Sequence, residues 1–188
     1  MRALITFALV ATATACATTT TERAGLPALE TVERVELQRY MGTWFEIASY
    51  PQSFQRGCTG TTATYSLQSS GDVRVENRCR ADALDGPERA AVGRARVVDP
   101  ADTAKLEVSF FGPFWGDYWV IDLASDYSYA VVGHPSRDYL WILSRTPQLA
   151  PSTYDGIVER LRAQGYDLAR LRPTLQASAP NDTARSGA

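Results

Sequence analysis

From residue 43 to residue 145 the chain alternates apolar and polar residues with a period of two, in short runs separated by turn-forming clusters. Such alternation places successive side chains on opposite faces of an extended strand. The first run, residues 43–50, leaves a glycine turn at Gly42 and puts Trp44, Glu46, Ala48 and Tyr50 on one face, Phe45 and Ile47 on the other. Residues 59–67 place Thr61, Ala63, Tyr65 and Leu67 together. Ser69-Ser70-Gly71-Asp72 then turns the chain into a run in which Val73 and Val75 alternate with Arg74, Glu76 and Arg78. Over 90–98, Ala91, Gly93, Ala95 and Val97 oppose Arg94 and Arg96. After the turn Asp99-Pro100-Ala101-Asp102, Leu106, Val108 and Phe110 alternate with Lys105, Glu107 and Ser109. Three more strands are predicted at 118–123, 127–133 and 138–145.

In the last strands, Trp119-Val120-Ile121 and Tyr139-Leu140-Trp141-Ile142-Leu143, both faces are apolar, which requires a cover on the outside. A helix beginning at Pro151-Ser152 supplies one, with Tyr154, Ile157, Val158 and Leu161 on a single face and Gly165 at its end. Leu168 to Leu175 adds at most a short final strand. Leu37, Tyr40 and Met41, at helical spacing, predict a short turn before the first strand, and the indole of Trp44 is suited to plug one end of a closed sheet. The predicted fold is all-β: an eight-stranded up-and-down antiparallel barrel, with a short N-terminal helical turn and one C-terminal helix packed outside. Closure removes exposed strand edges, and a barrel of this size has room for one small ligand.

The ends of the chain read differently. Arg2 and the apolar run 3–10, followed by Ala13-Thr14-Ala15, form an export signal over residues 1–15, too short to span a bilayer. Cys16 directly after it resembles the lipidated cysteine of a bacterial lipoprotein; cleavage after Ala15 to leave a soluble periplasmic protein is the alternative. Residues 16–35, rich in Thr and Ala, are expected to be a lipid-anchored linker, 36–175 the barrel, and 176–188 a disordered tail. In an exported protein, Cys58 and Cys79 are expected to form a disulfide across a hairpin. Their register is centred near Gln68-Ser69 rather than on the turn, so a bulge near Arg56-Gly57, or a Cys58 still in the loop, is needed; two free thiols are the alternative.

A formal net charge of −2 with scattered basic residues argues against nucleic acid as a partner. His134 is the one histidine and has no companion Cys or Asp at ligand spacing, so no metal site is expected, nor does it have a Ser or Cys partner at triad spacing. No Gly-rich phosphate loop occurs, and no cofactor is expected.

Three motifs in order carry a family resemblance. Gly42-Thr43-Trp44 resembles the opening motif of lipocalins, Asp126-Tyr127 the middle motif and Arg145-Thr146-Pro147 the closing one. The runs from Thr62 to Leu67, Val108 to Phe114 and Arg137 to Pro147 resemble the bacterial, Blc-type outer-membrane lipoprotein subgroup. The likeness spans about 38–171. It implies that Arg145 crosses over Trp44 at the closed end as a structural pair, a guanidinium on an indole face being worth about 0.5–2 kcal/mol. It also implies a small apolar ligand, a fatty acid or lysophospholipid, and an outer-membrane attachment.

Inward parity nominates Tyr65, Val75, Val108, Phe110, Val120, Tyr129 and Trp141 as ligand contacts, with closed-end core as the competing role for each. Glu46, on the inward parity, is either a head-group ligand or an acid paired with a backbone amide or an arginine. The aromatic stretch from Phe111 to Trp119 is either packed over the mouth, the favoured reading, or an exposed rim that contacts membrane. The function expected is non-enzymatic binding, storage or transport of the apolar ligand in the cell envelope, by a monomer or homodimer tethered to the membrane through its N-terminal lipid. An enzyme acting on a barrel-bound apolar substrate, with Cys58 or Cys79 as the reactive thiol, is the alternative; a scaffold with a filled, inert cavity is a third reading.

Overall fold

The computed structural model describes residues 25–177. The expected export signal, Cys16 and most of the expected tail lie outside the described residues. A four-residue helix α1 (Leu37–Tyr40) precedes eight strands: β1 (Gly42–Ser49), β2 (Cys58–Leu67), β3 (Val73–Ala81), β4 (Glu88–Val97), β5 (Lys105–Phe111), β6 (Phe114–Leu123), β7 (Tyr129–Gly133) and β8 (Leu140–Ser144). Helix α2 (Pro151–Ala163) and a two-residue strand β9 (Arg172–Pro173) follow. Each strand from β1 to β7 pairs antiparallel with the next, and β1 pairs with both β8 and β2, so the eight-stranded sheet closes on itself.

Closure is complete only over the first half of β1, where Gly42 to Phe45 lie opposite Tyr65 to Thr62. Beyond Phe45 the two strands part, and the C-terminal segment fills the seam. Ala48 and Ser49 pair with Pro173 and Arg172. The Thr174 amide donates to the Ile47 carbonyl at 2.9 Å, and the Gly60 amide donates to the Leu175 carbonyl at 2.7 Å. Gln176 then spans the gap, its Nε2 donating to the carbonyls of Glu46 and Thr61, both at 2.8 Å. Unpaired strand edges are thereby satisfied without direct β1–β2 contact.

Two cores result. The interior core contains Trp44, Tyr65, Val73, Val75, Leu106, Val120, Ala130, Val132 and Leu143. The outer core lies under α2, whose Ile157 and Leu161 pack with Ile121, Val131, Leu140 and Ile142, which is why β6 to β8 are apolar on both faces. Bulges decide which side chains go where. A register shift between Glu46 and Ala48 sends Ala48 and Tyr50 to the outer core, although alternation alone grouped them with Trp44.

Several boundaries differ from the sequence reading. Residues 25–35 are part of the folded body rather than a linker: Leu29 and Val35 are buried, and the Val32 amide donates to the Val120 carbonyl at 3.0 Å. Arg137 holds this segment in place. It is 1% exposed and donates to the carbonyls of Pro27 (2.6 Å), Pro135 (2.7 Å) and Gln164 (3.4 Å). Gln176 belongs to the body as well. The aromatic stretch does not pack over the mouth, the favoured reading: β6 begins at Phe114, a tight turn with a cis Gly112–Pro113 bond joins it to β5, and Phe111 and Phe114 are exposed.

Candidate functional site

The closed end is built first, by the residues of the three motifs. The Trp44 side chain is fully buried, and its Nε1 donates to the Tyr40 carbonyl at 2.8 Å. The Arg145 guanidinium carbon lies 3.7 Å from the centre of the Trp44 ring, and its two terminal nitrogens donate to the carbonyls of Thr43 (3.0 Å) and Arg39 (2.7 Å). A planar fork can stack and donate in two directions together, which a lysine ammonium cannot. Gly42 is required here: its φ is +93°, and a Cβ would stand 3.4 Å from the Arg145 guanidinium. Tyr127, also at positive φ, accepts the Glu36 amide on its hydroxyl at 2.9 Å, with Arg39 stacked 4.0 Å over its ring. Hydrogen bonds from Ser128, whose amide is 2.9 Å from Oδ1, hold the Asp126 carboxyl below the usual carboxylate range. These residues tie α1 beneath the barrel and leave nothing for a ligand to approach.

Above this floor stands a chain of hydroxyls. Tyr118 bonds to Tyr40 on one side and Tyr65 on the other, each at 2.8 Å. Burial pushes the phenol of Tyr65 up to about 12 and those of Tyr40 and Tyr118 well above their ordinary value. All three stay protonated at neutral pH, so they can donate or accept but offer no phenolate. Of the seven side chains nominated as ligand contacts, Val75, Val120 and Tyr65 form the deep wall at this level and are almost wholly buried. Val108, Phe110 and Trp141 pack against the same interior core yet are only partly buried, as are Ala63 and Tyr118. They line the open half. Tyr129 does not belong with them: its ring packs in the outer core and its hydroxyl engages Asp122 (3.3 Å) and Arg160 (3.0 Å). Ala130 and Val132 face the interior in its stead.

At the mouth the apolar wall ends in a polar relay. The Trp141 Nε1 donates to Gln55 Oε1 at 3.1 Å, and Gln55 Nε2 donates to Glu46 Oε2 at 2.7 Å. Glu46 is 5% exposed and also accepts from the hydroxyls of Ser49 and Thr174. Its partners are therefore hydroxyls and a side-chain amide, not the backbone amide or arginine expected from sequence. Cys58 and Cys79 are joined in a disulfide at the same end, with Cα atoms 5.4 Å apart. The bulge that permits this lies at Gly60-Thr61, where Gly60 has φ +57°, rather than at Arg56-Gly57. Both candidate thiols are thus consumed.

His134 bonds Ser136 through Nδ1 at 2.9 Å and approaches Asp117 at 3.5 Å. Among the described residues no group of three or more metal-ligating side chains converges. A surface depression of about 350 Å³ around the β2–β3 turn, lined by Gln68, Asp72, Val73, Arg74, Val92 and Arg94, lies at the closed end, away from the mouth. Sequence reasoning missed Tyr40, Tyr118 and Gln55. Tyr118 shares the parity of Val120 and was within reach of it; Gln55 sits in a 3-10 turn with no periodicity to mark it.

Comparison with known proteins agrees with this geometry. A family profile described as a Lipocalin-like domain matches residues 35–176. Temperature-induced lipocalin-1 of Arabidopsis thaliana is 40% identical over 164 residues, covering 82% of this chain and 87% of that protein. The outer membrane lipoprotein Blc of Escherichia coli (strain K12) is 39% identical over 144 residues, covering 74% and 78%. Among solved structures, insecticyanin from the tobacco hornworm Manduca sexta superimposes with a TM-score of 0.64 at 20% identity, over 81% of this chain and 87% of that one. At that identity the likeness speaks for the fold alone.

Proposed function

The chain belongs to the lipocalin family, whose barrels bind small hydrophobic ligands, and from that premise we propose that it takes up a fatty acid or lysophospholipid in the bacterial cell envelope. The observation that carries the reading is the partly exposed inward face of Val108, Phe110 and Trp141, set between a sealed floor and an open mouth. The acyl chain lies along that face, above the deep wall of Tyr65, Val75 and Val120. Each buried methylene contributes about 0.8 kcal/mol, so affinity rises with chain length more than with head group. A lipid on Cys16 tethers the protein, as monomer or homodimer, to the outer membrane; the naming of several relatives as outer membrane lipoproteins supports that location. The test is to identify lipid extracted from the purified protein and to titrate fatty acids of increasing length by tryptophan fluorescence. Absence of co-purified lipid together with no saturable binding at any length overturns the proposal. The enzymatic alternative has lost its candidate nucleophiles to the Cys58–Cys79 disulfide.

A further inference from the structure

The mouth of the barrel is where the molecule exposes its large apolar side chains. Among the described residues eight are exposed, and five of them, Phe54, Phe111, Phe114, Tyr139 and Leu175, sit on segments that surround the mouth. Phe54 lies in the β1–β2 connection, Phe111 and Phe114 flank the β5–β6 turn, Tyr139 is in the β7–β8 connection and Leu175 is in the seam segment. The three phenylalanines are 67%, 78% and 76% exposed. Single exposed apolar residues are ordinary; a ring of them around one opening is not.

Contacts on both sides of the β5–β6 turn hold these rings outward. Phe111 pairs directly with Phe114 in the ladder. The next residue, Trp115, is engaged on the outer sheet surface, with the guanidinium carbons of Arg96 and Arg94 at 4.1 and 5.0 Å from its ring. Cation–π contacts on Trp115 fix the hairpin's direction, and the two phenylalanines are left projecting beyond it.

The N-terminal segment reaches the same end. From Val35, in the interior core, the chain runs back along the outside through Val32 on β6 and Leu29 in the outer core to Pro27, whose carbonyl is clamped by Arg137 of the β7–β8 connection. The body therefore begins beside the mouth. Only eight residues lie between Cys16 and Gly25, a span of at most about 30 Å when fully extended. A lipid on Cys16 is therefore joined to the body on the side of the mouth.

We infer that the aromatic rim docks on a phospholipid surface, so that the barrel faces the membrane to which it is tethered and exchanges its ligand directly with the bilayer. This rests on the lipid tether proposed above. With a formal net charge of −2 the contact needs no anionic lipid, and apolar insertion at the interface supplies the affinity.

The test uses the chain from residue 16 onward with Cys16→Ser, which removes both the acyl group and the apolar run 3–10 but keeps every described residue. Flotation with phosphatidylcholine vesicles is compared with that of the Phe54→Ser/Phe111→Ser/Phe114→Ser variant. The bound fraction is expected to fall about ten-fold or more, while Val98→Ser, an exposed apolar residue at the closed end, leaves it unchanged. Circular dichroism checks that each variant is folded. Equal flotation of rim variant and parent, or no flotation of the parent, overturns the inference. So does a dimer in light scattering that the rim substitutions dissolve, since the rim would then be covered by a second copy. Lipid extraction and fatty-acid titration in vesicle-free solution are read separately: failure of both overturns the ligand proposal and leaves the docking result standing.

Discussion

The two ends of the barrel use aromatic residues in opposite ways. At the closed end Trp44 is fully buried, its N–H is bonded to Tyr40, its face is covered by Arg145, and the guanidinium is itself bonded to two carbonyls. At the mouth Trp141 is half-buried, bonded through Gln55 to Glu46 and stacked 6.1 Å from an exposed Tyr139, and beyond it phenylalanines stand in solvent. A sealed, cross-bonded end resists opening and contributes stability. An end whose apolar side chains lack cover is where another molecule gains by supplying it. Stability and the proposed binding thereby fall to different halves of one sheet, and substitutions can separate them.

The largest effect is expected from Trp44→Ala, which empties the floor and costs about 3–5 kcal/mol, read as a lowered urea midpoint. Arg145→Ala follows in the same direction, and Arg145→Lys recovers only part of the loss, because the ammonium cannot stack and donate to Thr43 and Arg39 together. If either variant binds acyl chains more weakly while unfolding at the parental midpoint, the division between the ends is broken.

Next is the disulfide at the mouth. Replacing Cys58 and Cys79 by Ala removes the closure of a loop across 21 residues and is expected to cost about 3 kcal/mol. Thiol titration of the native protein should find neither Cys58 nor Cys79 reactive until it is unfolded and reduced.

Smaller in stability but larger in binding is Trp141→Ala. An expected loss of about 1–2 kcal/mol in acyl affinity, roughly five- to thirty-fold in Kd, should accompany a shift of the unfolding midpoint well below that of Trp44→Ala. Equal stability losses for the two tryptophans would contradict the comparison.

The smallest effect is on pH dependence. Desolvation raises the phenols of Tyr40, Tyr65 and Tyr118 in the folded state, and for Tyr40 and Tyr65 the hydrogen bond with Tyr118 offsets part of that rise. Because the folded protein keeps protons that the unfolded chain releases near about pH 10, stability is full below that value. It declines as pH rises toward about 12, the folded value of Tyr65. Urea midpoints should fall above about pH 10, and Tyr65→Phe should make that decline shallower. An unchanged slope would mean that the chain of hydroxyls is not closed to solvent in the way described.

Much of this was legible beforehand. Strict alternation in β3 and β5 placed Val75, Val108 and Phe110 inside, because polar residues on the other face left only one way to orient the strand. The i, i+3, i+4 spacing in 151–163 gave α2 and its buried face. Tyr129 went to the wrong side because β7 is apolar on both faces, so its alternation carries no sign, and the choice falls to the helix that covers one of them. The bulges at Glu46/Ala48 and Gly60-Thr61 left no compositional mark beyond a glycine, yet they move Tyr50 out of the interior and bring Cys58 within reach of Cys79. Arg137 is one arginine among many in the sequence. Its burial beneath Pro27 follows from where an eleven-residue segment packs, which no local pattern encodes.

The sequence alone determined that strands alternate in and out and that a tryptophan is suited to close one end, because those facts depend on side-chain period and residue type; that an arginine a hundred residues later belongs on it came from the family resemblance of the three motifs. Tertiary structure decided which end is sealed by what, where the C-terminal segment spans the parted strands, and that Phe54, Phe111 and Phe114 ring the same opening. Those are relations between segments distant in the chain. They are set by register, bulges and closure, and free energy is assigned to them only when the whole sheet has formed.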